Sequence, residues 1–307
     1  MVDLARAYAS CARDAQRHYE NFPVASLLLP PAMRPHVAAV YAFARAADDF
    51  ADEGERPDEE RFRLLDGWLA RLQDTVSWPD GSPSPPDEGE PANTREIFTA
   101  LGATMQARRL PRSLFEDLLS AFRQDVTVTR YATWDDLLDY CRRSANPVGR
   151  LVLRIAGRDE PELDRWSDAI CTALQLTNFW QDLKIDFDRG RIYLPGETLR
   201  AHGADQRSPG AGRLSSEWRA TLAEAAGRTR ALFTEGRPLC DAVQGRLRWE
   251  LRATWLGGVR ILDRLERAGW DVLERRPTLG VADVPGLAAG MVIWAGGRGR
   301  MPRGAES

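Results

Sequence analysis

The sequence predicts an all-α fold: a single domain, built as a helical bundle around a central cavity. Three observations carry that prediction. Apolar residues recur at three- and four-residue spacing in segment after segment. No stretch alternates apolar and polar residues as a half-buried strand would, and no tight hairpin turn separates two such runs. Two of the helical segments carry acids on faces that are otherwise apolar, so these helices enclose something besides one another.

Taken in order, the N-terminal MVDLARAYASCARDAQRHYE is charged throughout and lacks the apolar run of a signal peptide. PHVAAVYAFARAADDFAD, from Pro35 to Asp52, is apolar on nearly every side until its acids begin. RFRLLDGWLARLQD, SLFEDLLSAFRQDV and TWDDLLDYCRRS each carry apolar residues at helical spacing, and ELDRWSDAICTALQLTNFWQDL again has an almost wholly apolar middle. EWRATLAEAAGRTRALF and ELRATWLGGVRILDRLERAGW complete the set. Prolines and glycines make SWPDGSPSPPDEGEPANT, residues 77–94, and HGADQRSPGAGR, residues 202–213, surface loops. Because the helical pattern resumes after each loop, residues 1–285 read as one domain and residues 286–307 as a C-terminal tail. The tail's apolar piece, Gly286 to Trp294, is far too short to span a bilayer; it either docks on the domain or touches a membrane surface.

Composition narrows the function. With 42 basic and 45 acidic residues among 307, there is no broad positive field to grip nucleic acid. Cys11, Cys141, Cys171 and Cys240 form no CxxC pair, which argues against a zinc cluster and a disulfide scaffold and fits a reducing cytoplasm. Nowhere do about 18 apolar residues run together, so a cytoplasmic protein is expected, at most peripheral at the inner face of the membrane. His18, His36 and His202 are isolated, no HExxH or Ser-His-Asp pattern occurs, and no GxGxxG follows a strand, so no nicotinamide cofactor is expected.

The acids form two stripes. On a helix, Tyr41, Arg45, Asp48 and Asp52 line one face at spacings of four, three and four, with Asp49 beside Asp52. Gln175, Asn178, Asp182 and Asp186 repeat the arrangement at three, four and four. Isolated buried carboxylates cost several kcal/mol each, so they need cations or metal, and the nearby arginines are few. Carboxylate and amide oxygens without histidine or thiolate suit Mg²⁺ or Mn²⁺, and Mg²⁺ favours a site completed by substrate phosphates. The substrate predicted is therefore a diphosphate, with Arg45, Arg189, Arg191 and Tyr193 near its oxygens. Phe22, Phe43, Phe50, Tyr131, Phe179 and Trp180 are candidates to line the apolar remainder of the site, against a plain reading of each as core.

These residues resemble the squalene and phytoene synthase family, which processes isoprenoid diphosphates head to head. YAFARAADDFAD, RYATWDDLLDYCRRSANPVGRL and LTNFWQDLKIDFDRGRIYLP carry the resemblance, which runs from NFPVAS near residue 21 to RPTL at residue 279. The chain looks most like the bacterial hydroxysqualene synthase branch. The resemblance implies an isoprenoid synthase helical bundle, Mg²⁺ held by Asp48, Asp52, Asn178, Asp182 and Asp186, and diphosphate contacts from Arg45, Arg189, Arg191 and Tyr193. Arg275 and Arg276 match a basic pair and are further diphosphate candidates, and Tyr41, Tyr131 and Gly149 would border the isoprenoid. Gln181 stands where the family often has arginine and Ile185 where it often has an acid, which favours a substrate with a single diphosphate. The activity implied is conversion of presqualene diphosphate and water to hydroxysqualene, with a peripheral membrane contact and contacts to other squalene-pathway enzymes as implied partners. The rival readings are a sister enzyme condensing two allylic diphosphates to presqualene diphosphate, squalene or phytoene, and a non-catalytic helical assembly factor.

Overall fold

The structure, a computed structural model, describes residues 3–18, 28–74, 83–210 and 212–294. Among these residues the regular structure is helical apart from one isolated parallel bridge between Arg130 and Ile192. The first half contains α1 (Leu4–His18), α2 (Arg34–Asp52), α3 (Asp58–Asp74), α4 (Thr94–Arg108), α5 (Arg112–Asp125), α6 (Trp134–Ser144) and α7 (Asn146–Ile155). The second contains α8 (Pro161–Gln181), α9 (Leu183–Asp188), α10 (Gly196–Ala201), α11 (Ser216–Gly236), α12 (Leu239–Ala242), α13 (Gly245–Arg267) and α14 (Val284–Ile293).

Local chemistry sets several boundaries. Pro35 opens α2, where a missing N–H costs nothing, and Gly54 at φ +74° turns the chain away after its last acid. Thr133 and Asp136 cap α6 reciprocally, each side chain meeting the other's backbone N–H. Ser215 accepts the Trp218 N–H at the start of α11. At Asp182 the backbone leaves helical geometry between α8 and α9, so the second acidic stripe bends there, although the Asp186 N–H still reaches the Asp182 carbonyl at 2.9 Å.

Two apolar clusters flank the middle of the bundle. In the first, Phe43 of α2 meets Trp68, Phe98 and Phe115 with ring centres 5.5 to 5.9 Å apart, and Phe50 meets Trp68 at 5.2 Å. In the second, the Trp180 indole donates to Thr229 at 2.8 Å and the Trp134 indole to Thr198 at 2.9 Å, so both rings bury their one polar atom satisfied. Phe43, Phe50 and Trp180, weighed above as cavity lining, are therefore core.

Helix α8 is the hub, packed against α6, α7, α11 and α13. Thr229 of α11 reaches Trp180 near the end of α8, while Gly236 lies on Trp166 and Ile170. The two helices thus run antiparallel. Arg230 reaches Asp263 and Glu266 at 2.8 and 2.9 Å while the later Phe233 carbonyl accepts from the earlier Trp255 indole at 2.7 Å, so α13 is antiparallel to α11 and parallel to α8. The early turns of α13 stand level with the early turns of α8.

Of the two expected loops, residues 83–90 are irregular and are pinned by Arg71, which donates to Ser84, Pro85, Asp87 and Glu90. Residues 204–210 and 212–215 are turn and irregular chain. The C-terminal segment predicted as a tail from 286 begins as helix α14, which lies on α13 with Gly286 against Arg260 and Gly290 against Leu256; residues 295–307 are outside the described residues. No helix among the described residues is long and apolar enough to cross a membrane, and all four cysteines are free.

A Cβ on Gly236 would stand 2.5 Å from Ile170 Cγ1 and 2.7 Å from the Trp166 carbonyl oxygen. Gly236→Ala is expected to cost about 1–3 kcal/mol by overpacking, read as a lower urea midpoint with an unchanged slope. An unchanged midpoint would show that α8 and α11 do not approach so closely.

Candidate active site

The ends of α2 and α8 meet over a cavity of about 680 Å³. Its mouth is lined by Arg45 and Asp48 of α2 and by Gln175 and Asn178 of α8, and its walls below are mostly Val, Leu, Ile and Ala side chains. Such a space suits a long apolar chain with a polar head held at the mouth.

Around the mouth the acids of both stripes meet arginines from separate parts of the chain. Arg45 lies 3.3 Å from Asp48, 2.6 Å from Asp49 and 2.6 Å from Glu53. Asp52 is held by Arg191 at 2.5 Å and Arg189 at 3.2 Å, which ties the end of α2 to the segment after α9. Asp182 takes two bonds from Arg276, the second at 3.0 Å. Gln181 donates to the Pro277 carbonyl and so fixes the segment that carries Arg276. Asp186 has no ion pair among the described residues. Six carboxylates, those of Asp48, Asp49, Asp52, Glu53, Asp182 and Asp186, thus face four guanidinium groups.

That imbalance has electrostatic consequences. Burial pushes Asp48 up from 3.8 to about 6, with Arg45 opposing and Asp52 reinforcing. Burial and then neighbouring Asp182 push Asp186 up to about 7. Every donor in this group is a carboxylate or amide oxygen. No three acidic, histidine or cysteine side chains among the described residues converge on one point to hold an ion unaided.

Beneath Asp52, a packed aromatic group carries the remaining predicted residues. The Ile192 N–H donates to the Thr129 carbonyl and the Gly196 N–H to the Tyr131 carbonyl, docking the RGRIYLP segment beside residues 129–131. Tyr193 stacks on Phe179 at 3.7 Å and lies 5.9 Å from Tyr131. Tyr131 is 4% exposed and does not reach the cavity; Tyr140, with its ring centre 5.5 Å away, does. Tyr41 and Gly149 line the cavity. A side chain at Gly149 would strike Ser167 and come within 2.5 Å of Cys171 Sγ, so glycine lets α7 close on α8. Phe22 lies outside the described residues. Arg275 is exposed, and it is Arg276 that turns inward, because consecutive residues there point to opposite sides of an extended segment.

The structure adds three groups that sequence reasoning did not single out. Tyr140 lines the cavity and donates at 2.8 Å to Asp125, the last residue of α5, whose other carboxylate oxygen is buried without a partner among the described residues. Burial pushes Asp125 up to about 7. Glu250 of α13 lines the cavity wall, also with a buried and unpartnered oxygen, and burial pushes it up to about 8. Tyr140 had a usable signal, since Tyr140, Ser144 and Val148 continue at four-residue spacing toward Gly149. Asp125 and Glu250 had none, because their burial comes from other helices.

An apolar chamber with an acid-and-arginine mouth, enclosed by helices alone, defines a class of helical proteins that hold amphipathic molecules by an anionic head. The chain matches the squalene/phytoene synthase family over residues 15–282 and belongs to it. Hydroxysqualene synthase from Sinorhizobium fredii is 36% identical over 78% of this chain and 76% of its own. Phytoene synthase from Thermus thermophilus is 33% identical over 87% of this chain and 86% of its own. Among solved structures, squalene synthase HpnC from Alicyclobacillus acidocaldarius superposes with a TM-score of 0.77 at 40% identity, covering 88% of this chain and 97% of that one. A ligand-bound dehydrosqualene synthase at 20% identity shares the fold with a TM-score of 0.80, covering 95% of this chain and 97% of that one.

Glu250 yields a stability prediction. Its carboxyl keeps its proton in the folded protein until about pH 8 but loses it near 4.5 when exposed. Folding therefore takes up a proton between those values, and the contribution of this group falls as pH rises through that window. Glu250→Gln is expected to remove this part of the decline, read as a flatter dependence of the thermal midpoint between pH 5 and pH 8. A slope identical to that of the parent protein would place the side chain in water.

Proposed function

We propose that the protein converts presqualene diphosphate and water to hydroxysqualene and diphosphate. The observation that carries this reading is the apolar cavity with its carboxylates and arginines gathered at one end. The relatives named hydroxysqualene synthase, at 36 to 37% identity, support the branch.

In this reading Asp48, Asp52, Asn178, Asp182 and Asp186 hold Mg²⁺, with Mn²⁺ the alternative. The donor set fits, since it is all hard oxygen and is richer in acids than in arginines. The metal supplies Lewis-acid neutralisation of the leaving diphosphate. Arg189, Arg191 and Arg276, which rest on Asp52 and Asp182, turn to diphosphate oxygens and free those carboxylates. Arg45 stays between Asp48 and Asp49 and keeps them oriented, while Gln175 and Tyr193 border the head group. As the carbon–oxygen bond ionises, the apolar walls keep bulk water from the carbocation and the ring face of Tyr140 stabilises it. The cyclopropylcarbinyl cation rearranges, its ring bonds breaking as the 1-1′ linkage forms, and one water then forms the new carbon–oxygen bond and gives its proton to the released diphosphate. No hydride donor takes part.

Purified protein with Mg²⁺ and presqualene diphosphate, without reductant, is expected to yield hydroxysqualene by mass spectrometry. Turnover of farnesyl diphosphate under the same conditions would instead assign the two-substrate condensation of the phytoene synthase relatives. Asp48→Asn and Asp182→Asn are each expected to lower kcat by about 10²-fold or more, and full metal-dependent activity in either would refute the assignment of ligands.

A further inference from the structure

A cavity that shields a carbocation from bulk water must still present one water molecule if the product is an alcohol, and must do so near the mouth, where the bond to diphosphate breaks. A water held in an apolar space needs polar partners on more than one side. Ser144, the last residue of α6, lines the cavity, and its hydroxyl oxygen is buried with no hydrogen-bond partner among the described residues. A hydroxyl can both donate and accept, so an apolar wall would be better served there by alanine unless the group meets a ligand.

Three contacts fix the height of Ser144 in the cavity. The Tyr140 ring lies 6.2 Å from that of Phe179, Thr172 donates to Asn146 at 2.9 Å, and Gly149 packs on Ser167 and Cys171. The chain from α6 into α7 therefore runs antiparallel to α8, and Ser144 stands level with Leu174 and Gln175. Gln175 also lines the cavity, about one turn below Asn178 at the mouth. Ser144 follows Tyr140 by one turn on the same face of α6, so it adjoins the ring placed beside the cation. Three other polar groups of the wall are deeper. Ser167 lies about two turns below Gln175. A Cβ at Gly258 would stand 2.8 Å from Leu174, so in the parallel helix α13 Thr254 and Glu250 are about 6 and about 12 Å further from the mouth.

We propose that Ser144 and Gln175 hold the water that captures the carbocation, and so decide that the product is an alcohol. This role rests on the reading of the cavity as the site of hydroxysqualene formation. The Gln175 carbonyl oxygen and the Ser144 hydroxyl oxygen accept the two protons of the water, which leaves its lone pair free toward the cation beside Tyr140. That lone pair forms the carbon–oxygen bond, and the excess proton passes to the released diphosphate. Without the water, the same cation loses a proton from a neighbouring carbon to the diphosphate and becomes a hydrocarbon with one more double bond, lighter than the alcohol by one water.

The test is turnover of presqualene diphosphate with Mg²⁺ in isotopically labelled water by the parent protein, Ser144→Ala and Ser144→Thr, with the products resolved by mass spectrometry. The parent is expected to form labelled alcohol. Ser144→Ala is expected to lower the ratio of alcohol to hydrocarbon at least about tenfold, as loss of one hydrogen bond to the attacking water, while Ser144→Thr keeps the hydroxyl and stays near the parent ratio. Removing a buried hydroxyl that has no protein partner is expected to leave the thermal midpoint of Ser144→Ala equal to the parent's or higher. An unchanged ratio in Ser144→Ala, from a parent that does form alcohol, overturns the role of Ser144 and leaves the reaction standing. An equal fall in Ser144→Thr, which would assign the change to packing, also overturns it, as does a lowered midpoint in Ser144→Ala, which would give the hydroxyl a partner within the fold. A parent that forms no alcohol refutes the reaction itself, and the role of Ser144 with it.

Discussion

Unequal numbers of carboxylates and arginines, gathered at one end of an apolar cavity, govern the rest of this structure. The acids of α2 and of the α8–α9 junction point at each other across that opening, where like charges at short range repel. The four arginines that offset them come from three stretches of chain: Arg45 from α2, Arg189 and Arg191 from the segment after α9, Arg276 from the segment after α13. Neutralisation at the mouth therefore also fixes how two connections lie on the bundle. A carboxylate left without a partner in an apolar interior costs several kcal/mol, which is why the acids sit at the opening and not deeper.

Keeping the middle of a helical bundle hollow has its own cost, because wall residues lose contacts on one side. The chain offsets this on either side of the cavity, with the Phe43, Trp68, Phe98 and Phe115 group behind α2 and the tryptophans behind α8. Close approach without filling the cavity is managed by glycine: Gly149 lets α7 meet α8, and Gly258 of α13 leaves room for Phe233 and Leu174, the latter 2.8 Å from where its Cβ would stand. Aromatic residues that look suited to a cavity wall from their position in the sequence were drawn into these cores instead. Their rings gain more from edge-to-face packing and full burial than from a half-empty wall.

Asp125 and Glu250, each with one buried carboxylate oxygen that has no partner among the described residues, break the rule that buried polar groups are satisfied. Asp125 is engaged through Tyr140, which connects it to the cavity. Glu250 faces the cavity with no such link, and its carboxyl remains protonated at neutral pH because nothing nearby offsets the loss of water.

By itself the sequence determined the helices, the two acidic stripes and their hard-oxygen character, because helical periodicity places residues three and four apart on one face whatever the helix later packs against. Spacing put Tyr41 on the face of the first stripe, whereas Gly149 was placed beside the substrate only by the family resemblance; both line the cavity. Only the tertiary structure decided that Arg276 and not Arg275 reaches Asp182, that Tyr140 displaces Tyr131 from the wall, and that Asp125 and Glu250 are buried. Those outcomes depend on contacts between residues 15 to more than 90 positions apart, which no local spacing encodes. The physical reason is the same in each case: burial and pairing are properties of the space between helices, and the chain specifies that space only after all of them have packed.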